Sequence, residues 1–141
     1  MKKRLLSVLL AFCSVTLIAC QSQNEEITLL DNVSDISISK SNGYGGLNEN
    51  YILSINREEA ISGFKEVLKK AKGKNQDVDV INEKPDYDIL IRYENGDTHG
   101  LHLLLGNAGD ESVITYTGHE KYGYIVSPED TNELRKLLDA Q

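Results

Sequence analysis

The side chains in this 141-residue chain best suited to chemistry are three histidines, at positions 99, 102 and 119. Their spacing limits what they can do. His99 and His102 lie three apart in a stretch that alternates like a strand, so their imidazoles point to opposite faces and cannot ligate one ion together. His99 can instead join Asp97 or Glu94 beside a turn, with His119 and Glu120 approaching through space. A small metal-binding protein or metal-dependent hydrolase would draw on His99, Asp97 and His119. A metal needs convergent ligands held by supporting hydrogen bonds, and no spacing here forces convergence. The histidines are therefore expected at the surface or at a sheet edge, with no metal ligand, cofactor or catalytic residue assigned. Other chemistries fare no better. There is no Gly-x-Ser-x-Gly elbow, and Ser62 before Gly63 falls within a helical pattern. Carboxylates are plentiful, but a small domain without tryptophan is poor material for a glycosidase cleft. Gly43, Gly45 and Gly46 suggest a phosphate cradle, yet such cradles open a helix, and here a strand pattern follows.

One cysteine carries a sharper signal. Lys2, Lys3 and Arg4 precede an apolar run from Leu5 to Ala19, which is short for a membrane-spanning helix and laid out like a secretory signal. The run closes on Leu17-Ile18-Ala19-Cys20, followed at once by the polar residues 21–26. This segment resembles the type II signals of bacterial lipoproteins. The resemblance implies cleavage before Cys20, a diacylglyceryl thioether on its sulfur and acylation of the new amine. Two or more acyl chains make a stable anchor where one is marginal. Residues 1–19 are thus expected to be a signal peptide, residues 20–33 a lipidated cysteine and tether, and residues 34–141 a globular domain. The expected location is the cell membrane, with the domain facing the extracellular or periplasmic side. Cys13 leaves with the signal, so no disulfide can form in the mature chain. Loss of three positive charges moves the net charge from −7 to −10, which argues against nucleic acid as a partner.

The elements that must position any site are legible from periodicity. Residues 35–39 and 51–55 alternate as strands of a long-looped hairpin across the Gly/Asn-rich segment 41–48. Ala60, Ile61, Phe64, Val67, Leu68 and Ala71 recur at helical spacing over roughly 57–72, with Asn56 and Glu59 as a capping box and Gly73 as the C′ residue. Residues 87–93 and 101–105 flank Asn95-Gly96, and two turns could join them. A two-residue type I′ turn sets Ile89 against His102 and splits the apolar sets between faces. A three-residue loop with Gly96 as a G1 bulge pairs Ile91 with His99, Ile89 with Leu101 and Tyr87 with Leu103. Burial selects the second, because a one-residue slip moves every side chain to the other face. Two further strands, 112–116 and 122–126, precede a helix that Ser127 caps and Pro128 starts. The order β-β-α-β-β-β-β-α predicts a single α+β domain, a mostly antiparallel sheet with both helices on one face. The other face would carry Asp88, Leu90, Arg92, Glu94, His102 and Leu104, a candidate partner surface. The tyrosines at 87, 93, 116, 122 and 124 could add contact area.

With these pieces in place, the chain resembles the uncharacterised small lipoproteins of Bacillus-type bacteria that share a YhfM-like domain. The residues that carry the resemblance are the lipobox, Arg57-Glu58-Glu59, Pro85-Asp86-Tyr87 leading into Ile89-Leu90-Ile91-Arg92-Tyr93, Asn95-Gly96-Asp97, Leu101-His102-Leu103 and Tyr124-Ile125-Val126. The resemblance transfers no activity, and Cys20 is the sole functional residue it assigns. The expectation at this point is a non-enzymatic surface module, anchored in the membrane through Cys20, that binds a protein or peptide partner. The alternative is the metal-dependent hydrolase above.

Overall fold

The structure, a computed structural model, describes residues 27–29, 31–74 and 83–139. Cys20 and the signal segment lie outside them. Seven strands form one antiparallel sheet: β1 (Val33–Lys40), β2 (Tyr51–Ile55), β3 (Lys72–Lys74), β4 (Tyr87–Tyr93), β5 (Thr98–Leu104), β6 (Ser112–Tyr116) and β7 (Gly123–Val126). Their spatial order is β2-β1-β4-β5-β6-β7-β3. Helix α1 (Glu58–Lys70) carries the chain from the β2 edge to the β3 edge, and α2 (Pro128–Asp139) packs beside it. This is the single α+β domain the periodicity predicts, with one short strand added. Among the described residues no helix is long and apolar enough to cross a membrane.

Alternation along the strands divides the sheet, interrupted in β1 by register shifts between Val33 and Asp35 and between Ile38 and Ser39. Ile36, Ile38, Ile89, Ile91, Leu101, Leu103, Ile114 and Val126 face the helices and meet Phe64, Leu68 and Leu134. Each such side chain, taken fully out of water, contributes roughly 1.5–3 kcal/mol. Four of the five tyrosines considered for binding belong to this side instead. Tyr93, His99, Tyr116 and Tyr124 form a run of edge-to-face contacts with centroids 5.2–6.0 Å apart, and Tyr87 packs on the core. Tyr122 alone of the five is exposed.

The β4–β5 hairpin takes the register that burial selects, with Tyr87 opposite Leu103, Ile89 opposite Leu101 and Ile91 opposite His99. Gly96 has φ +90°, the left-handed conformation a G1 bulge requires, and the Tyr93 and Asp97 backbones close the loop. Ser127 caps α2 as expected: its Oγ accepts the Asp130 N–H at 3.1 Å, and its carbonyl accepts the Thr131 N–H at 2.8 Å.

Helix α1 departs from expectation at both ends. Its N-cap is Arg57, with no side-chain cap bond, so the Asn56–Glu59 box does not form. Ala71 is already extended, and Gly73 pairs with Tyr124 in the β3–β7 ladder instead of closing the helix in a left-handed turn. The open edge of β7 offers main-chain partners to residues 72–74, and that ladder outweighs the local terminator signal. Residues ahead of β1 also join the body: Ile27 is buried in the core, and the Glu94 N–H donates to the Asn32 carbonyl.

Candidate active site

The side of the sheet away from the helices holds a polar row rather than an open apolar patch. Ser39 on β1 lies opposite Asp88 on β4, Asp88 opposite His102 on β5, and His102 opposite Thr115 on β6. All four are buried, Asp88 and His102 to 1% exposure. What covers them is the Gly/Asn-rich segment between β1 and β2, which folds back across the strands. The Asn48 N–H donates to Asp88 Oδ2 at 2.7 Å, and the Ser39 hydroxyl donates to the Asn48 carbonyl. Gly43 and Gly45, at φ +128° and +115°, turn the chain so that Tyr44 meets the His102 ring edge-on, with centroids 5.4 Å apart.

The dyad is well defined. His102 Nδ1 lies 2.8 Å from Asp88 Oδ1. A carboxylate only accepts, so Nδ1 donates, and in the neutral ring Nε2 then presents its lone pair. Asp88 spends one oxygen on the imidazole and the other on the loop. Nε2 has no hydrogen-bond partner among the described residues, and Glu120 Oε1 stands 3.8 Å from it. An orphaned nitrogen in a buried side chain is costly unless something meets it in use. Glu120 is held on the β6–β7 turn, where its Oε1 accepts the Gly118 N–H at 2.8 Å. Partial burial raises its carboxyl, but the backbone N–H groups of Gly118, Glu120 and Gly45, with His102, outweigh that and hold it below the ordinary value. The Tyr44 hydroxyl is pushed up to about 12 by burial first, then by the charges of Glu120 and Glu83. Beside this group lies a shallow cavity of about 470 Å³ lined by Tyr44, Gly45, Gly118, Glu120 and Lys121.

The residues named from sequence for a metal site are not brought together. His99 is on the helix side, with its Nδ1 2.8 Å from the Tyr93 hydroxyl. Asp97 is exposed and accepts from Asn95. His119 is exposed on the β6–β7 turn and shares with His99 a separate shallow cavity of about 660 Å³ that Asp97 does not line. Among the described residues, no group of three or more histidine, cysteine or carboxylate side chains is placed to hold a metal. The dyad was within reach of the sequence. The register that pairs Ile89 with Leu101 also sets Asp88 against His102, but the face was expected to be open, so the pair did not stand out.

A family model for the YhfM protein matches residues 23–141. The chain belongs to the YhfM family. No match was found among curated proteins. A solved structure of a thioesterase-like protein from Clostridium sporogenes ATCC 15579 is similar, with a TM-score of 0.60 and 22% sequence identity over 81% of this chain and 100% of that one. At that identity the likeness is one of fold. For this YhfM-family protein, the expectation of a non-enzymatic binding module is corrected. Its fold is shared with a protein described as thioesterase-like, and the supposed docking face holds a covered Asp–His pair, with Leu90, Arg92 and Leu104 half-buried and Glu94 exposed. The metal set of the alternative reading, His99, Asp97 and His119, is not assembled among the described residues.

Proposed function

We propose that this protein is a small metal-independent hydrolase acting on acyl thioesters or esters, with His102 as general base and Asp88 as its positioning partner. One observation carries the reading: a buried imidazole with Nδ1 engaged by a carboxylate and Nε2 left unpartnered among the described residues, next to Tyr44 and Glu120, which line a cavity. That is the arrangement in which a histidine removes a proton from a nucleophile. The attacking group in this proposal is water. Nε2 takes one proton from water as the oxygen bonds to the acyl carbon. As the tetrahedral intermediate collapses, the carbon–sulfur or carbon–oxygen bond breaks, and Nε2 returns the proton to the departing thiol or alcohol. Asp88 holds the tautomer and stabilises the imidazolium that forms in between. The thioester class is supported by the description attached to the similar solved structure. Movement of the Tyr44 ring on its glycine-flanked loop opens the way from the cavity to Nε2.

The same proposal places the enzyme at the outer face of the membrane, held by lipid on Cys20. Support comes from the Leu17-Ile18-Ala19-Cys20 signal and the polar residues after it.

The test is turnover of a panel of acyl thioesters and esters by the purified full-length protein. His102→Gln is expected to lower kcat/KM by about 10²- to 10⁴-fold, the usual contribution of a positioned base. Undiminished hydrolysis by His102→Gln, or no turnover of any member by the unaltered protein, would refute the proposal.

A further inference from the structure

We propose that Glu120 is the second acceptor for the hydrolytic water: His102 Nε2 and Glu120 Oε1 hold one water between them and turn its lone pair toward the cavity. This inference rests on the hydrolase reading and adds a residue to it. In the neutral imidazole whose Nδ1 donates to Asp88, Nε2 accepts, and the Glu120 carboxylate can only accept. In that form the two acceptors cannot bond to each other, and their 3.8 Å separation is too long for a direct hydrogen bond. It matches two atoms bridged by a third at about 2.8 Å from each, the situation in which a water is sought between polar groups. What fits there is one atom bearing two hydrogens, whose remaining lone pair then faces away from both acceptors.

The anchoring of Glu120 supports this role. The Gly118 N–H fixes the same oxygen at 2.8 Å, so Oε1 is positioned by the turn backbone rather than by a free side chain. The carboxyl is also held below its ordinary value, so it stays an acceptor at neutral pH. Glu120 lines the cavity together with Tyr44, whose ring packs on His102, so a water on this pair reaches the space an acyl group would enter once the Tyr44 ring moves. In the reaction, one hydrogen passes to Nε2 while the other stays bonded to Oε1. The oxygen lone pair forms the new bond to the acyl carbon. Glu120 neither gains nor loses a proton, and its part is to orient.

The experiment has a structural and a kinetic arm, both on the full-length protein. In a high-resolution crystal structure, a water is expected within hydrogen-bond distance of both Nε2 and Oε1, and it is expected to be lost in Glu120→Ala. In thioester hydrolysis, kcat is expected to fall about 10²-fold in Glu120→Ala with KM little changed, as for a misplaced reactant. Glu120→Gln, which keeps an oxygen for the Gly118 N–H, should fall between the two. A purely structural role in the turn would instead lower stability and raise KM, with kcat retained. Turnover by the unaltered protein combined with an unaffected kcat in Glu120→Ala, or with a protein donor seated on Nε2, overturns the inference and leaves the hydrolase reading standing. Absence of turnover by the unaltered protein overturns that reading, and the catalytic role of Glu120 with it.

Discussion

Removing the Asp88 carboxylate should be among the most damaging single changes on the helix-free side, and its cost can be worked from two bonds. Asp88 accepts from the buried His102 Nδ1 at 2.8 Å and from the half-buried Asn48 N–H at 2.7 Å. Asp88→Ala leaves both without an acceptor, at about 1–3 kcal/mol each, so the expected loss is about 4 kcal/mol. Against a domain stability of about 5–15 kcal/mol, that is a large fraction. In urea unfolding, with a slope of about 1–3 kcal/mol per molar, the midpoint should fall by about 2 M. His102→Leu removes one of the two donors, so the Asp88→Ala/His102→Leu double variant should be less destabilised than the summed single changes by about 1–3 kcal/mol. Asp88→Asn separates folding from chemistry. Its amide can accept from Asn48 and donate to Nδ1, which keeps the network but moves the imidazole proton to Nε2. Stability should fall by only about 1–2 kcal/mol as charged bonds become neutral ones, while activity is lost. Strict additivity in the cycle, or a cost for Asp88→Ala below about 1 kcal/mol, would refute the shared-carboxylate argument.

Three further outcomes are expected. A β-carbon added at Gly106 would sit 2.1 Å from the Glu111 carbonyl oxygen, so Gly106→Ala should cost about 3 kcal/mol or more in thermal or urea unfolding. Tyr44 makes alkaline stability depend on its hydroxyl. With the folded value raised from 10.0 to about 12, the contribution is complete below pH 10 and is lost as pH climbs toward 12. Phenolate absorbance should report that late ionisation, and Tyr44→Phe should remove this part of the alkaline decline. Cys20→Ser should leave the protein in the soluble fraction of lysed cells. Recovery of that variant tightly bound to membranes would refute lipid anchoring.

The fold was readable where two levels of pattern agreed. Ile89, Ile91, Leu101 and Leu103 fix the β4–β5 register because only the bulged turn puts them on one side, and Gly96 supplies the conformation that turn needs. Ser127-Pro128 likewise marks the start of α2 without tertiary help. Pattern failed where a distant edge decided the outcome. Gly73 looks like a helix terminator but lies in a strand, because β7 offers it a ladder that no local window contains. The site failed for a related reason. His102 and Asp88 alternate as outward-facing residues should, and their burial comes from residues 41–50, whose glycines and asparagines suggest a mobile loop. Only the contacts of Asn48 and Tyr44 reveal that this segment is a cover. Glu120 was tied by sequence to His119 and a metal, whereas its partner in space is the histidine facing the other way.

The seating of Ile27 in the core sets a short leash. If Cys20 is embedded in lipid as proposed, seven residue steps separate the bilayer surface from the first packed residue, and at full extension they reach only about 25 Å. Thr28 then lies against the Tyr116 hydroxyl and lines a cavity with His119, on the turn that also carries Glu120. With that anchor the domain is held within this distance of the membrane surface rather than sampling the surrounding medium. If the proposed hydrolase activity holds, its substrates should be sought among acyl groups displayed within that thin layer.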